Sequence, residues 1–285
     1  MKNRADERKI SCDAQILRFA QDDTKAFQQS KPLIKKELGM LDLDPVGWVV
    51  VILCATMVGI TKTGIPGLGI LVVPFMAGVL PARSSVGVLL GILILADLFA
   101  ATYHRHNARW RHVLRLLPAA FAGIVAGYFG LKVVDDELLK PIIGGIVLAM
   151  LCINYWRTRI KGRDAPVPTQ WWFAVGLGFL AGVTTMMANA AGPIMIIYLL
   201  AMKLPKIEFV GTGAWFFFVI NWLKVPFSAN LQLMTAESVK LNLMMLPFIA
   251  GGAVIGIFFL KRIPQKAFTA VVQILAAAAA VKLLF

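Results

Sequence analysis

Thr61-Lys62-Thr63-Gly64-Ile65-Pro66-Gly67-Leu68-Gly69 sits in the middle of an apolar run that covers residues 46–80. The run is too long for one crossing of about 30 Å of hydrocarbon, which takes roughly 20 residues. Gly64, Pro66, Gly67 and Gly69 interrupt the helical hydrogen-bond ladder, and the N–H and C=O groups they free need partners in protein or a wet cavity. A second long run, 171–202, is broken in the same way by Thr184-Thr185-Met186-Met187-Ala188-Asn189-Ala190-Ala191-Gly192-Pro193. Stretches of ordinary span length lie near 84–103, 113–131, 141–156, 209–227, 239–259 and 267–285.

Composition points the same way. Of 285 residues, 59% are hydrophobic and only 15% charged, against roughly 25% charged in soluble domains. A soluble core of this size cannot hide so much apolar surface, so lipid is the expected solvent. The net charge of +14 does not imply nucleic acid, because the basic residues fall in short loops between apolar stretches. Arg105, Arg109 and Arg111 occupy one loop; Arg157, Arg159, Lys161 and Arg163 a second; Lys203 and Lys206 a third; Lys261, Arg262 and Lys266 a fourth. If both broken runs are hairpins that return to their own side, all four loops share one face, the cytoplasmic one. Asp135-Asp136-Glu137 and the uncharged run 228–235 then lie on the other.

The tail, residues 1–44, is polar and mixed in charge, and this plan places it outside. A start at Met40 removes that conflict, since only Leu41-Asp42-Leu43-Asp44 then precedes the membrane. Met40 is therefore the expected physiological start. Cys12, Cys54 and Cys152 show no paired spacing, and packing cysteines are expected.

The halves repeat. Leu80-Pro81, Val86-Gly87 and Asp97 match Leu204-Pro205, Val210-Gly211 and Asn221 in spacing. Pro118, Gly123, Gly127 and Leu131-Lys132 likewise match Pro247, Gly252, Gly256 and Leu260-Lys261. Each half holds one broken hairpin and three spans, an odd number of crossings, so the second half is upside down relative to the first. Secondary transporters of that plan place their site at the repeat interface near the midplane. The expected fold is all-α and membrane-integral, with a first transmembrane repeat over 45–160 and a second over 161–285.

Charges inside apolar runs are costly and mark function or pairing. Lys62 reads as an attractor of an anion or as a snorkelling lysine. The glycines after it, including Gly64, Gly67 and Gly69, leave a half-helix N-terminus with free N–H groups aimed inward. The second break offers Thr184, Thr185 and Asn189 ahead of Gly192-Pro193. Asp97 reads as a proton carrier or as the partner of Lys62 or Lys224 in an ion pair. Lys224, one turn from Asn221, reads as a second anion contact or as an interfacial anchor. His104, His106 and His112 lack nearby carboxylates, so an ordinary loop is expected rather than a metal site. Trp110, Trp171 and Trp172 fit an interfacial belt, and Gly123-x3-Gly127 and Gly252-x3-Gly256 fit close helix packing.

Gly59 through Pro74, the Leu-Pro, Val-Gly and Asp/Asn register, and Gly182 through Tyr198 resemble the sulfite exporter TauE/SafE family, also called the toluene sulfonate uptake permease family. The resemblance runs from about residue 45 to the C-terminus. Lys62 and Asn189 depart from the commonest family pattern. It implies a multi-span permease of the cell (inner) membrane that moves sulfite, sulfonates, sulfoacetate or related organic anions. The expected substrate contacts are Lys62, Thr63, Gly64, Gly67, Gly69, Thr185, Asn189, Gly192, Asn221 and Lys224, with Asp97 carrying a coupling proton. The expected partners are a small anion, the lipid bilayer and a second copy in a homodimer, with no nucleic acid, cofactor or metal. A channel and a membrane-embedded lipid-processing enzyme are the rival readings. The enzyme lacks paired carboxylates or an HExxH-like site, and no phosphate-binding loop for ATP is present.

Overall fold

The computed structural model describes residues 43–66, 69–135, 171–264 and 267. The tail with Met40, the spans near 141–156 and 267–285, the loop 157–163 and Gly67 lie outside the described residues. Those described form nine helices and no strand. They are α1 (Pro45–Thr63), α2 (Gly69–Val79), α3 (Ala82–Tyr103), α4 (Trp110–Val133) and α5 (Trp171–Ala188). Then come α6 (Gly192–Ala201), α7 (Lys206–Asn230), α8 (Ala236–Met244) and α9 (Leu246–Arg262). Among the described residues five helices are long and apolar enough to cross a membrane, six if the bent pair α8–α9 counts as one span.

Local chemistry sets the boundaries. Asp44 caps α1 by accepting from the Gly47 N–H at 2.9 Å, with Pro45 in the first helical position, where its missing N–H costs nothing. Pro81 and Pro205 hold nearly the same extended backbone (φ −52°, ψ 144° and φ −56°, ψ 149°) ahead of α3 and α7. Both long apolar runs are broken, but more sharply than the sequence implies. Thr61, Lys62 and Thr63 are still helical in α1, and Thr184 and Thr185 in α5, so each break is confined to a few residues. Asn189 carries the second break at φ 53°, a left-handed conformation that asparagine tolerates better than most residues.

The expected continuous span 239–259 is instead two helices bent by 49°. Pro247 is the cause: it offers no N–H and crowds the carbonyl one turn back, so α8 ends at Met244 and α9 starts afresh.

Both breaks make hairpins. Cys54 of α1 lies beside Val72 and Thr61 beside Gly69, which sets α2 antiparallel to α1. Phe173 stacks on Tyr198 at 6.5 Å, folding α6 back along α5. Each hairpin helix then packs on the far half of the chain. α1 runs parallel to α9, with Gly252 against Thr56 and Gly256 against Ile60 and Thr63; α5 runs parallel to α4, with Gly178 against Leu116 and Gly123 against Phe179. Thr63 Oγ1 donates to Ala253 O at 2.8 Å and fastens the first of these crossings.

Helix ends are braced in matching fashion. Arg83, at the start of α3, donates through Nη2 to Leu131 O at 2.9 Å and Val134 O at 2.5 Å, the closing carbonyls of α4. Lys206, at the start of α7, donates to Leu260 O at 2.9 Å and Ile263 O at 2.7 Å, the closing carbonyls of α9. A cation on the last carbonyls satisfies groups that have no intrahelical partner and meets the negative end of the helix dipole.

Three of the four basic loops are described in whole or in part, and they converge on one end. Arg109 forks onto Glu208 (Nε to Oε2 2.7 Å, Nη2 to Oε1 2.5 Å), and the Lys261 ammonium lies 5.7 Å from the centre of the Tyr103 ring. Lys206 ties the start of α7 to the end of α9 there. Trp171, Trp172 and Trp110 are exposed, as belt residues require.

Candidate functional site

Where α1, α3, α5 and α7 meet, three full charges are buried. Asp97 is 0% exposed, Lys224 1% and Lys62 9%. The Lys62 ammonium pairs with Asp97 Oδ1 at 2.8 Å, and Asn221 Nδ2 donates to Asp97 Oδ2 at 2.6 Å. Lys62 also lies 4.0 Å above the centre of the Phe217 ring, a cation–π contact. Neither lysine follows its surface reading. Lys62 does not snorkel, and Lys224 is too deep to be an interfacial anchor.

Lys224 Nζ faces Thr185 O at 2.9 Å, Thr185 Oγ1 at 3.0 Å, Asn189 Oδ1 at 2.6 Å and Asn221 Oδ1 at 3.2 Å. Asn189 in turn donates through Nδ2 to Val86 O at 2.9 Å. The two asparagines thus join both halves of the chain through one chain of polar contacts, from Lys62 through Asp97 and Asn221 to Lys224 and the second break. Counted in their ordinary ionised forms, one carboxylate stands against two ammonium groups, a formal surplus of one positive charge.

Beside this network lies a cavity of about 100 Å³. A single water needs roughly 10–15 Å³ of such space, so the cavity has room for several waters or for a small anion with a carbon substituent. Lys62, Thr185, Asn189 and Asn221 form its polar end, and Val58, Val72, Leu93, Met195, Ile196 and Phe217 are among its apolar walls. Gly69 and Gly192 also line it, which brings the N-terminal ends of the two half-helices α2 and α6 to the same space. The first turn of α6 has no side-chain cap. Uncapped N–H groups at a helix N-terminus are a ready anion site.

Not every expected contact arrives there. Thr63 and Gly64 turn away: the Thr63 hydroxyl is spent on Gly59 O (3.0 Å) and Ala253 O, and Gly64 packs on Gly256. Their closeness in sequence to Lys62 is misleading, because successive residues on a helix face different directions. Asp97 and Lys224 stand behind the wall, reaching the cavity through Lys62, Asn221, Asn189 and Thr185. Phe217 escaped the sequence reading; its one signal is its place one turn before Asn221.

His104 and His112 are tied into the fold by hydrogen bonds. His104 is buried with Nε2 3.1 Å from Thr63 O, and burial holds its imidazole below the ordinary range against the opposing effect of that bond. Nε2 therefore carries the proton and donates it to the carbonyl. His112 Nδ1 lies 3.0 Å from the Tyr198 hydroxyl. Among the described residues no group of His, Cys, Asp and Glu is arranged to hold a metal ion.

No curated protein and no solved structure matches the chain. The family model described as sulfite exporter TauE/SafE matches residues 51–283, almost all of the chain beyond the tail. The chain is a multi-pass membrane protein and belongs to the sulfite exporter TauE/SafE family of transporters.

Proposed function

We propose that the chain is a secondary transporter that carries a small sulfur oxyanion, sulfite or a short-chain sulfonate, across the cell membrane by alternating access. The observation that carries this reading is the cavity between two half-helix N-termini, at a centre with a formal surplus of positive charge. Lys62, Thr185, Asn189 and Asn221 would hold the anionic oxygens, and the apolar walls would take a short carbon substituent.

An inverted pair of repeats, 45–160 and 161–285, underlies the proposed motion. It is supported by the matched braces of Arg83 on Leu131 and Val134 and of Lys206 on Leu260 and Ile263. The crossings of α1 on α9 and of α5 on α4 correspond in the same way. Two bodies, α1 with α9 and α4 with α5, each drawing helices from both repeats, would expose the centre to each side in turn by rocking about the α3–α7 contact. A proton on Asp97 is the proposed coupling step, the Lys62 pair opening when the carboxylate is neutralised.

The test is uptake of radiolabelled sulfite, methanesulfonate and a longer alkanesulfonate into proteoliposomes, with and without an imposed pH gradient. Saturable flux of the small anions is expected, and linear, non-competing flux would indicate a channel instead. Gly192→Ala gives the sharper result. A Cβ at Gly192 meets nothing within 4 Å and projects into open space, so the fold is expected to be unchanged. The added methyl narrows the cavity, and the longer sulfonate is expected to lose flux by a larger factor than sulfite. Equal flux ratios in Gly192→Ala and wild type would place the substrate elsewhere.

A further inference from the structure

We propose that the four oxygens around Lys224 constitute a monovalent-cation site whose occupant is tethered, the ammonium of Lys224 standing where a free alkali ion would otherwise bind. The inference deepens the transport reading and rests on it for its functional meaning, though the melting test does not depend on transport.

The geometry is that of a cation cage. One backbone carbonyl, one hydroxyl and two amide oxygens lie 2.6–3.2 Å from a single point. An ammonium has three N–H bonds and meets four acceptors here, so the oxygens match a centre of positive charge better than a set of directed donors. Both amides are fixed with their oxygens inward, because their nitrogens are committed: Asn221 Nδ2 to Asp97 Oδ2, and Asn189 Nδ2 to Val86 O. Thr185 O belongs to the last turn of α5, the negative end of that helix. A neutral amine would turn its lone pair toward one of these oxygens, which the cage disfavours.

The chemistry selects the class of ion. Neutral hard oxygens suit a hard cation, and divalent ions of that kind usually need carboxylates in the shell. Here the nearest carboxylate, Asp97, is occupied by Lys62 and Asn221. That leaves a monovalent alkali ion, and oxygens 2.6–3.2 Å from the centre suit potassium better than the smaller sodium. The sources of charge facing the cage are Lys62 from α1 and Asp97 from α3, which cancel as a pair. Unwound segments and helix C-termini hold the coupling ion of cation-coupled carriers in comparable positions. With a tethered ammonium in that place, the charge is present in every cycle and never leaves with the substrate, so anion movement is independent of alkali cations.

The test is thermal unfolding of the purified full chain in sodium, potassium or choline chloride at equal ionic strength. Wild type is expected to melt at one temperature in all three. Lys224→Ala is expected to melt several degrees lower in choline and to recover saturably with potassium, and less with sodium, while Lys224→Met, which fills the space without charge, responds to none. A Lys224→Ala melting temperature indifferent to both alkali ions would overturn the proposal, as would an alkali-ion response shared by Lys224→Met. If Lys224→Ala does not fold, wild-type flux with both alkali ions replaced by choline decides: unchanged flux supports the proposal and lost flux overturns it. Wild type that transports no sulfur oxyanion while Lys224→Ala still responds to potassium would remove the transport reading and leave the cage standing.

Discussion

Lys62→Met and Asp97→Asn each unfold at a much lower temperature than wild type, and the double variant regains most of the loss without regaining transport. Each single change upsets the charge balance of a site almost without exposure: Lys62→Met leaves Asp97 with Lys224, and Asp97→Asn leaves two lysines with no carboxylate. Removing one member of a buried pair costs on the order of 3–5 kcal/mol, whereas replacing both members with groups of similar volume is often nearly neutral. Lys62→Met keeps the volume but loses the cation over Phe217 and leaves Asp97 with Asn221 as its remaining direct donor. Asp97→Asn leaves Lys62 and Lys224 as two buried cations without a carboxylate, so it is expected to be the more severe of the two. Thermal unfolding in detergent, paired with sulfite flux for all three variants, separates the roles. A double variant with normal flux would reduce the pair to a structural fastening.

Gly182→Ala and Gly252→Ala are the next largest expected losses. A Cβ at Gly182 would overlap Ala120 O and the Gly123 backbone, and one at Gly252 would overlap Thr56 O, rigid main chain in both cases. Overpacking a tight contact typically costs 1–3 kcal/mol, about what separates a stable from a marginal variant here. Gly251→Ala, one residue away, meets nothing within 4 Å and is expected to be neutral or slightly stabilising, since alanine is the better helix former. The measurement is the melting temperature of the three variants side by side. Equal values would mean that these crossings can part without cost, contrary to the close packing of α1 on α9 and α4 on α5.

The spans and breaks were legible because lipid imposes a length and an apolar character that few other constraints override. Lys62, Asp97 and Lys224 stood out as charges where charge is expensive, and the repeat placed Asp97 and Asn221 at equivalent positions. What the sequence left open was the choice of partner. Lys62 and Lys224 both stood as partners for Asp97, and nothing pointed to the four oxygens around Lys224; both outcomes depend on which helices touch, and the spacing of residues within a helix does not encode that. Thr63 and Gly64 were misjudged for the same reason. The bend before Pro247 was missed because Pro118, at the matching position, sits inside an unbroken α4, so the residue alone does not decide whether a helix breaks or accommodates it.

The parallel crossing of α1 on α9 has a consequence for how the chain is made. Thr63 and Ala253 are 190 positions apart. α1 therefore enters the bilayer, and must remain there, long before its native neighbour leaves the ribosome. It is long and apolar enough to span on its own, but until α9 and α3 are made its glycine face is uncovered and Lys62 is without its carboxylate. Biogenesis of this protein thus includes an interval in which the first hairpin is present but unassembled.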